Sequence, residues 1–448
     1  MTLEQAASAA LAAAEAAGAT AAEAWAEEQR GLEVRVYHEE VESLTDAGGR
    51  GLGLRVFVDG RSGYAYGTDL SEAGLRELAA SAAAGATAAD ADEHDGLPDA
   101  FGATPVEGLS SPGVEDWPTE RKIDLAVTVD RAARARKGVT QVEQTVYADQ
   151  RGRAAIANSF GFASAYEASS AWAYSSAFAG EGADLMTGFG VGLAREPGGL
   201  DPEAIGGEAA DRALALVGAR QPESRRCPVV LDAFVAASFA GFIGGMLSAD
   251  AVQRGRSLFA GKLGDEVAAA QLRLADDPTD PGGIASAPFD GEGSPTRRNA
   301  LIEDGRLATY LYDARTARKD GRETTASATR SSYRSPPSVG TSNLVLDPGE
   351  STLEELVRDA GEGLFVTDVA GLHSGVNPVS GTFSVGATGR LIEGGELGPP
   401  VREITIASDL VAMLKAVRGV GSEARWVPFG GSVKAAPLLL DAMSVGGS

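Results

Sequence analysis

The chain contains three histidines, His38, His94 and His373, and a single cysteine, Cys227. A catalytic zinc takes three protein ligands and keeps an open position, and two imidazoles on one helix must recur about one turn apart to share a metal. No two of these histidines lie within six residues of each other. Nucleophilic chemistry would need a hydroxyl with a positioned base. Its candidates are the hydroxyls of Ser380-Gly381-Thr382 and, as a substrate contact or general base, His373 in GLHSG. The bland alternatives are a turn, since Ser and Gly dominate turns, and a loop histidine bonded to backbone. Arg254, Arg256 and Lys262 around GRSLFAGK could hold a substrate carboxylate or a partner, or simply face solvent. Asp276-Asp277-Pro278-Thr279-Asp280 lacks the spaced ligands and terminal Glu of an EF-hand loop and reads as a polar turn. Gly49-Arg50-Gly51-Leu52-Gly53 precedes a strand, not a helix, so it is no dinucleotide fingerprint.

The densest glycine pattern begins at Gly361 and reads GEGLFVTDVAGLHSGVNPVSGTFSVGATGRLIEGGE. Leu364-Phe365-Val366 and Thr382 to Ala387 read as strands, and Gly394-Gly395 as a turn. Glycine inside a strand marks a bulge or the close approach of another backbone. An extended peptide laid beside Gly381, Thr382, Phe383, Ser384, Val385 and Gly386 would be recognised by strand addition.

The elements that position these residues follow from periodicity and punctuation. Helices are expected over Leu3–Ala17, Ser71–Ala84 with Ser71 as N-cap, Glu120–Lys137, Asp201–Val217, Ala233–Ser248, Tyr312–Lys319, Thr352–Ala360 and Ser408–Val417. Strands are expected over Ala22–Arg30, Glu33–Val41, Gly51–Val58 and Arg61–Gly67, with a hairpin at Asp59-Gly60, then over Gln141–Tyr147, Phe162–Ala179 and Cys227–Leu231. Asp90–Pro118 reads as a long surface loop, and Gly321–Ser338 as a mobile loop that could flap over a cleft. Strands in runs, with helices not strictly alternating, indicate an α+β fold. The expected division is an N-terminal helix-plus-meander domain over residues 1–222 and a C-terminal domain rich in antiparallel strands over 223–448.

Composition narrows the function. The 448 residues are 44% hydrophobic and carry 39 basic against 63 acidic residues, a net charge of −24. That balance opposes nucleic-acid binding, which rests on neutralising phosphates with Lys and Arg, and favours basic or neutral peptides. One cysteine allows no internal disulfide and fits a reducing compartment. The N-terminal MTLEQAASAALAAAEAAGA has no basic n-region. The longest uncharged run, Ala233 to Ala249, falls short of the roughly 20 residues that span a bilayer. A cytoplasmic chain without a membrane span is expected. The run is read as a buried helix, with Ala240, Gly241, Gly244 and Gly245 admitting close backbone neighbours.

The segment GLHSGVNPVSGTFSVGATGRLIEGGE from Gly371, with PVREITIASDLVAMLKAVRGVGSE from Pro400, resembles the C-terminal signature of the TldD/PmbA family, in its PmbA (TldE) branch. GRSLFAGKLGDEVA from Gly255, TRRNALIEDGRLATYLYDARTARKDG from Thr296 and GTSNLVLDPGE from Gly340 agree in order, and the resemblance runs over residues 20–448. It implies a two-subunit protease that trims modified peptide precursors and degrades small unfolded proteins. The TldD-type subunit carries zinc on HExxxH; the PmbA-type subunit lacks that site and contributes to the peptide groove. The helix corresponding to the metal-bearing one is Ala233–Ser248, and the ligand positions fall in Ala240–Met246, AGFIGGM, where nothing ligates zinc. No cofactor is therefore expected in this chain. Zinc is expected in a TldD-type partner, with an unstructured peptide as substrate; pairing with a second copy is the other dimer. The competing function is a stand-alone, metal-independent hydrolase acting on an amide or small metabolite through His373 and a nearby hydroxyl.

Overall fold

The computed structural model describes residues 1–428 and 432–448. The chain starts with helix α1, Leu3–Ala16, fixed by a reciprocal cap in which the Gln5 amide donates to the Thr2 hydroxyl and the Thr2 amide to Gln5 Oε1. Six strands follow: β1 (Ala21–Tyr37), β2 (Glu40–Val58), β3 (Arg61–Gly67), β4 (Val139–Asn158), β5 (Ala163–Ala179) and β6 (Met186–Ala194). They pair antiparallel in the order β3-β2-β1-β4-β5-β6. Both first hairpins close on residues with positive φ, His38 (52°) and Glu39 (61°), then Asp59 (49°) and Gly60 (73°), the geometry that matches strand twist in two-residue turns.

Side chains alternate along each strand, and this sorts the sheet into two faces. Ala24, Ala26, Leu32, Val34 and Val36 of β1 are buried beneath helices. At one end the cover is α1 with α2, Glu72–Ala88; at the other it is α3, Thr119–Arg134, with α4, Pro202–Leu214. Ser71 caps α2, its hydroxyl accepting from the Gly74 amide. The intervening residues Glu23, Trp25, Gln29, Gly31 and Glu33 share the opposite face, toward the second half of the chain.

That second half opens with β7, Arg225–Leu231, and helix α5, Ala233–Met246, capped by Asp232, which accepts from Phe234 N at 2.8 Å. Further strands are β8 (Gly363–Ala370), β9 (Thr382–Glu393), β10 (Glu396–Asp409), β11 (Val417–Val420) and β12 (Leu438–Gly446). They order as β10-β9-β8-β7-β12-β11, with β7 and β8 parallel, and β10 also pairs with β12 so that the sheet closes on itself. Short strands including Leu274–Asp276, Asn299–Glu303, Asn343–Leu346 and Ser432–Ala435 build a second sheet. Helix α5 belongs to the core that joins them. The mixture of helices and mainly antiparallel strands is the expected α+β class. Among the described residues no helix is long and apolar enough to cross a membrane.

Three local expectations are corrected. Strand β2 starts at Glu40, so the reading Glu33–Val41 runs across a turn; β1 supplies a partner along the whole of β2 and holds its glycines extended. Gly321–Ser338 is pinned, not a flap. Ala328–Thr329 pairs with Ser338–Val339, the Tyr333 ring is buried, and the Tyr64 hydroxyl donates to the carbonyls of Tyr333 and Ser335 at 2.8 and 2.9 Å. Gly245 faces outward with no atom within 4 Å of where a Cβ would stand.

Gly244 is different: a Cβ there would lie 2.3 Å from Leu344 Cδ1 and 3.1 Å from Thr341 Cγ2. Gly244→Leu is expected to overpack this contact at a cost of about 1–3 kcal/mol, whereas Gly245→Ala should hold or gain up to about 1 kcal/mol from helix propensity. Thermal melts of both variants check the placement; equal shifts in the two would contradict it.

Candidate functional site

The α5 stretch Ala240–Met246 offers no metal donor set. Ala240, Ile243, Gly244 and Met246 are buried, and the space beside Gly244 is taken by Leu344 and Thr341. Among the described residues no group of three or more His, Cys, Asp or Glu is placed to hold an ion. His38 lies on the β1–β2 turn, His94 in the loop after α2, and His373 on the short turn Leu372–Gly375. A zinc ion does not fit the residues present at α5.

Strand β9 carries the glycine-flanked segment, but it is not an edge. Thr382 pairs with Asp409, Phe383 with Ser408, Ser384 with Ala407, Val385 with Ile406 and Gly386 with Thr405, all on β10. On its other side Gly386 meets Ala370 of β8, and Phe383 bridges to Val376. The expectation of strand addition along Gly381–Gly386 is therefore corrected: both ladders are occupied, and an added chain would have to displace one. Thr382 and Ser384 are exposed while Phe383 and Val385 point into the core. They border an open hollow of about 510 Å³ beside Asn377 and Pro378. Ser380 Oγ and Thr382 Oγ1 lie 2.8 Å apart. His373 is exposed, and its ring makes no hydrogen bond among the described residues. The structure does not join it to either hydroxyl.

A larger concavity than this hollow lies elsewhere, on the uncovered face of the N-terminal sheet, with a volume of about 940 Å³, in the range of a ligand-binding cleft. Its floor follows the pairing registers. Thr45, Glu33, Ala148, Trp172 and Leu193 form one row across five strands, and Ala47, Gly31, Gln150 and Ser170 the next. Ile284, Arg334 and Pro428 face it from the second half. Reading each strand separately misses this cleft, because its rows exist only once registers are known. The signal in the sequence is the alternation of small residues with glutamines and aromatics.

Farther along the same face of β1, beyond Trp25 and Glu27, lies a buried ionic cluster. Arg55 Nη2 donates to Glu23 Oε2 at 3.2 Å and to Glu292 Oε1 at 2.9 Å, and Arg330 pairs with Glu23 Oε1. Burial opposes the charge on Arg55, but Glu23 and Glu292 outweigh it, and its pKa is raised. Behind the cluster, a cavity of about 260 Å³ contains Asp276 and Asp290. Burial pushes the Asp276 carboxyl up to about 7, although it accepts from the Ser342 amide at 2.7 Å and hydroxyl at 3.0 Å. Burial, then the charge of Glu292, raises Asp290 as well. The polar-turn reading of this run holds for Asp277, which accepts from Thr279 N at 2.9 Å, and for Asp280, which accepts from Gly282 N at 2.8 Å; Asp276 instead ends a buried strand. Arg254 is held to Asp250 at 2.9 Å at the surface.

The chain resembles known proteins over most of its length. It matches the profiles described as PmbA/TldA metallopeptidase domain 1 over residues 22–86, central domain over 112–217 and C-terminal domain over 224–447. It is 29% identical over 423 residues to Metalloprotease PmbA of Escherichia coli O157:H7, covering 93% of this chain and 90% of the relative. A metalloprotease of Methanothermobacter thermautotrophicus is 30% identical over 386 residues, covering 84% and 82%. Among solved structures, a candidate modulator of a DNA gyrase from Thermotoga maritima MSB8 superposes with a TM-score of 0.90 at 28% identity, covering 99% of this chain and all of the other. TldE from Thermococcus kodakarensis gives 0.90 at 22% identity over 99% and 100%, a likeness of fold.

The Asp276 shift has a measurable sign. A carboxyl whose pKa rises on folding stabilises the folded state below its unfolded value, and that contribution is lost as pH climbs through the folded value. Between pH 3.8 and about 7, the melting temperature of Asp276→Asn should therefore rise relative to that of the unmodified chain. Melting curves that stay parallel across this window would contradict the assignment.

Proposed function

The chain belongs to the PmbA/TldD metallopeptidase family, and we propose that within it this protein is a PmbA/TldE-type subunit that works beside a TldD-type chain. In that assembly the zinc belongs to the partner, and this chain helps to hold an extended, unstructured peptide. The observation that carries the reading is α5. Where the family resemblance puts the metal ligands, Ala240–Met246 presents only alanine, glycine, phenylalanine, isoleucine and methionine, packed against Leu344 and Thr341. The net charge of −24 supports a neutral or basic peptide and opposes a nucleic acid. A cytoplasmic location accords with the lone, buried Cys227. A stand-alone hydrolase draws no support, since the Ser380 and Thr382 hydroxyls pair with each other and not with His373.

What this chain contributes is position, not a reacting group: a polar and aromatic cleft floor, held at a fixed distance from the second half by buried ion pairs. The purified chain is expected to retain far less than one equivalent of zinc after dialysis, by atomic emission, and to leave unstructured peptides intact. Mixed at micromolar concentration with a relative that carries HExxxH, it should form a dimer by light scattering and the mixture should cleave. One tightly held zinc per chain, or a monomer in that mixture, would overturn the reading. His373→Ala should leave the cleavage rate of the pair unchanged.

A further inference from the structure

Strand β2 is 19 residues long, yet β3 pairs only with Leu52–Val58. On its other side β1 pairs with β2 from Glu40 to Phe57, with one bulge at Glu42 near the hairpin. Glu40–Arg50, exposed at all 11 positions, thus has one edge with no strand beside it among the described residues. Natural edges of this kind are shielded by proline, bulges, inward charges or a covering element. Here Glu40–Arg50, EVESLTDAGGR, contains no proline. Its one acid within Ser43–Gly49 is Asp46, already neutralised by Arg30 at 2.7 Å.

The same segment is one wall of the cleft. Thr45 and Ala47 begin the two floor rows described above, and Gly49 pairs with Gln29 on the same face. A Cβ at Gly49 would meet nothing within 4 Å. A strand added outside β2 would thus set every second side chain over the cleft, next to serine, threonine, alanine and glycine, which leave room for side chains of many sizes. The main chain would supply the affinity and the cleft the tolerance.

We propose that Glu40–Arg50 of β2 is a docking edge for an extended, neutral-to-basic peptide, which adds as a further strand and lays alternate side chains into the cleft. What happens to the peptide afterwards rests on the function proposed above; the docking does not. Charge selects this occupant over a second copy of the chain. Each copy carries −24, and Glu40 and Glu42 lie at one end of the edge itself, so like would meet like, whereas lysine-bearing peptides are attracted.

The test is amide hydrogen exchange on the full chain, with and without a synthetic peptide of Gly, Ser, Thr and Lys that has no structure of its own. Binding is followed independently by fluorescence anisotropy of the labelled peptide. Exchange is expected to slow on Glu40–Arg50 when peptide is bound and to stay unchanged along Thr382–Gly386. Outward N–H groups alternate with those bonded to β1, so of Thr45→Pro and Asp46→Pro one removes an outward donor and spares the ladder. Whichever variant keeps the unmodified melting temperature should bind the peptide at least about tenfold more weakly, about 1.4 kcal/mol. Peptide bound without slowing at Glu40–Arg50, no binding at all, or slowing that appears without peptide and grows with protein concentration would each overturn the proposal, the last by assigning the edge to a second copy. None of these readouts involves zinc or cleavage. A pair that fails to cleave while the footprint appears sinks the proposed function and leaves the docking edge standing.

Discussion

The arrangement depends on a neutral quartet of buried charges, Glu23, Arg55, Glu292 and Arg330, whose side chains are at most 8% exposed. Buried ions carry a desolvation penalty that only good geometry repays, and removing one member typically costs about 3–5 kcal/mol because its partner stays buried and unpaired. The quartet is therefore a weak source of net stability but a strong constraint on position. It fastens one end of the sheet's open face to the second half of the chain. Edge-on aromatic contacts of Phe289 with Trp25 at 6.2 Å and Tyr166 at 5.2 Å seal the same junction. The halves are also joined at the last strand of the sheet, where Arg425 donates to the Val191 carbonyl at 3.1 Å and pairs with Glu208 at 2.6 Å.

What was legible in the sequence was local. The Ser71 cap and the Asp59-Gly60 hairpin are written in the residues that form them. So is the burial of the small-residue helix around Gly244, and so is its lack of ligating side chains, which depends on residue type alone. What was not legible was pairing. β9 reads as a strand that could receive a peptide, but nothing in Gly381–Gly386 reveals that β8 and β10 already occupy its edges. β2 is the converse. Glu40–Arg50 is rich in glycine and charge, residues with little preference for strands, and it is exposed on both faces, so no alternation marks it. Its strand character is imposed by β1. Arg330 and Tyr333 were hidden in a Ser-, Arg- and Pro-rich segment whose composition suggests mobility, because their partners Glu23 and Tyr64 lie far away in the sequence.

The two regions suggested by motif and by shape are thus distinct. The motif-rich β9 is a structural member of a closed sheet, with an exposed but shallow surface. The plain-looking sheet of the first half holds the deep surface. The motif-rich stretch holds at least one position of very tight packing, Gly389, where a Cβ would lie 1.9 Å from the Phe365 carbonyl oxygen. Such a position tolerates only glycine whatever the protein does, so a recognisable motif and a binding surface need not coincide.

The charge quartet also bears on how the molecule comes into being. Arg330 reaches Glu23 across 307 positions of sequence, and Arg55 reaches Glu292 across 237. During synthesis the amino-terminal sheet emerges long before either distant partner exists. Glu23 and Arg55 sit on neighbouring strands, 3.2 Å apart when folded, and can neutralise each other in the interval. Such long-range closure is slow, since loop entropy is spent before the contact rewards it. Until Phe289 is made, Trp25 and Tyr166 lack the ring that covers them in the folded chain, which leaves apolar surface open on the first half.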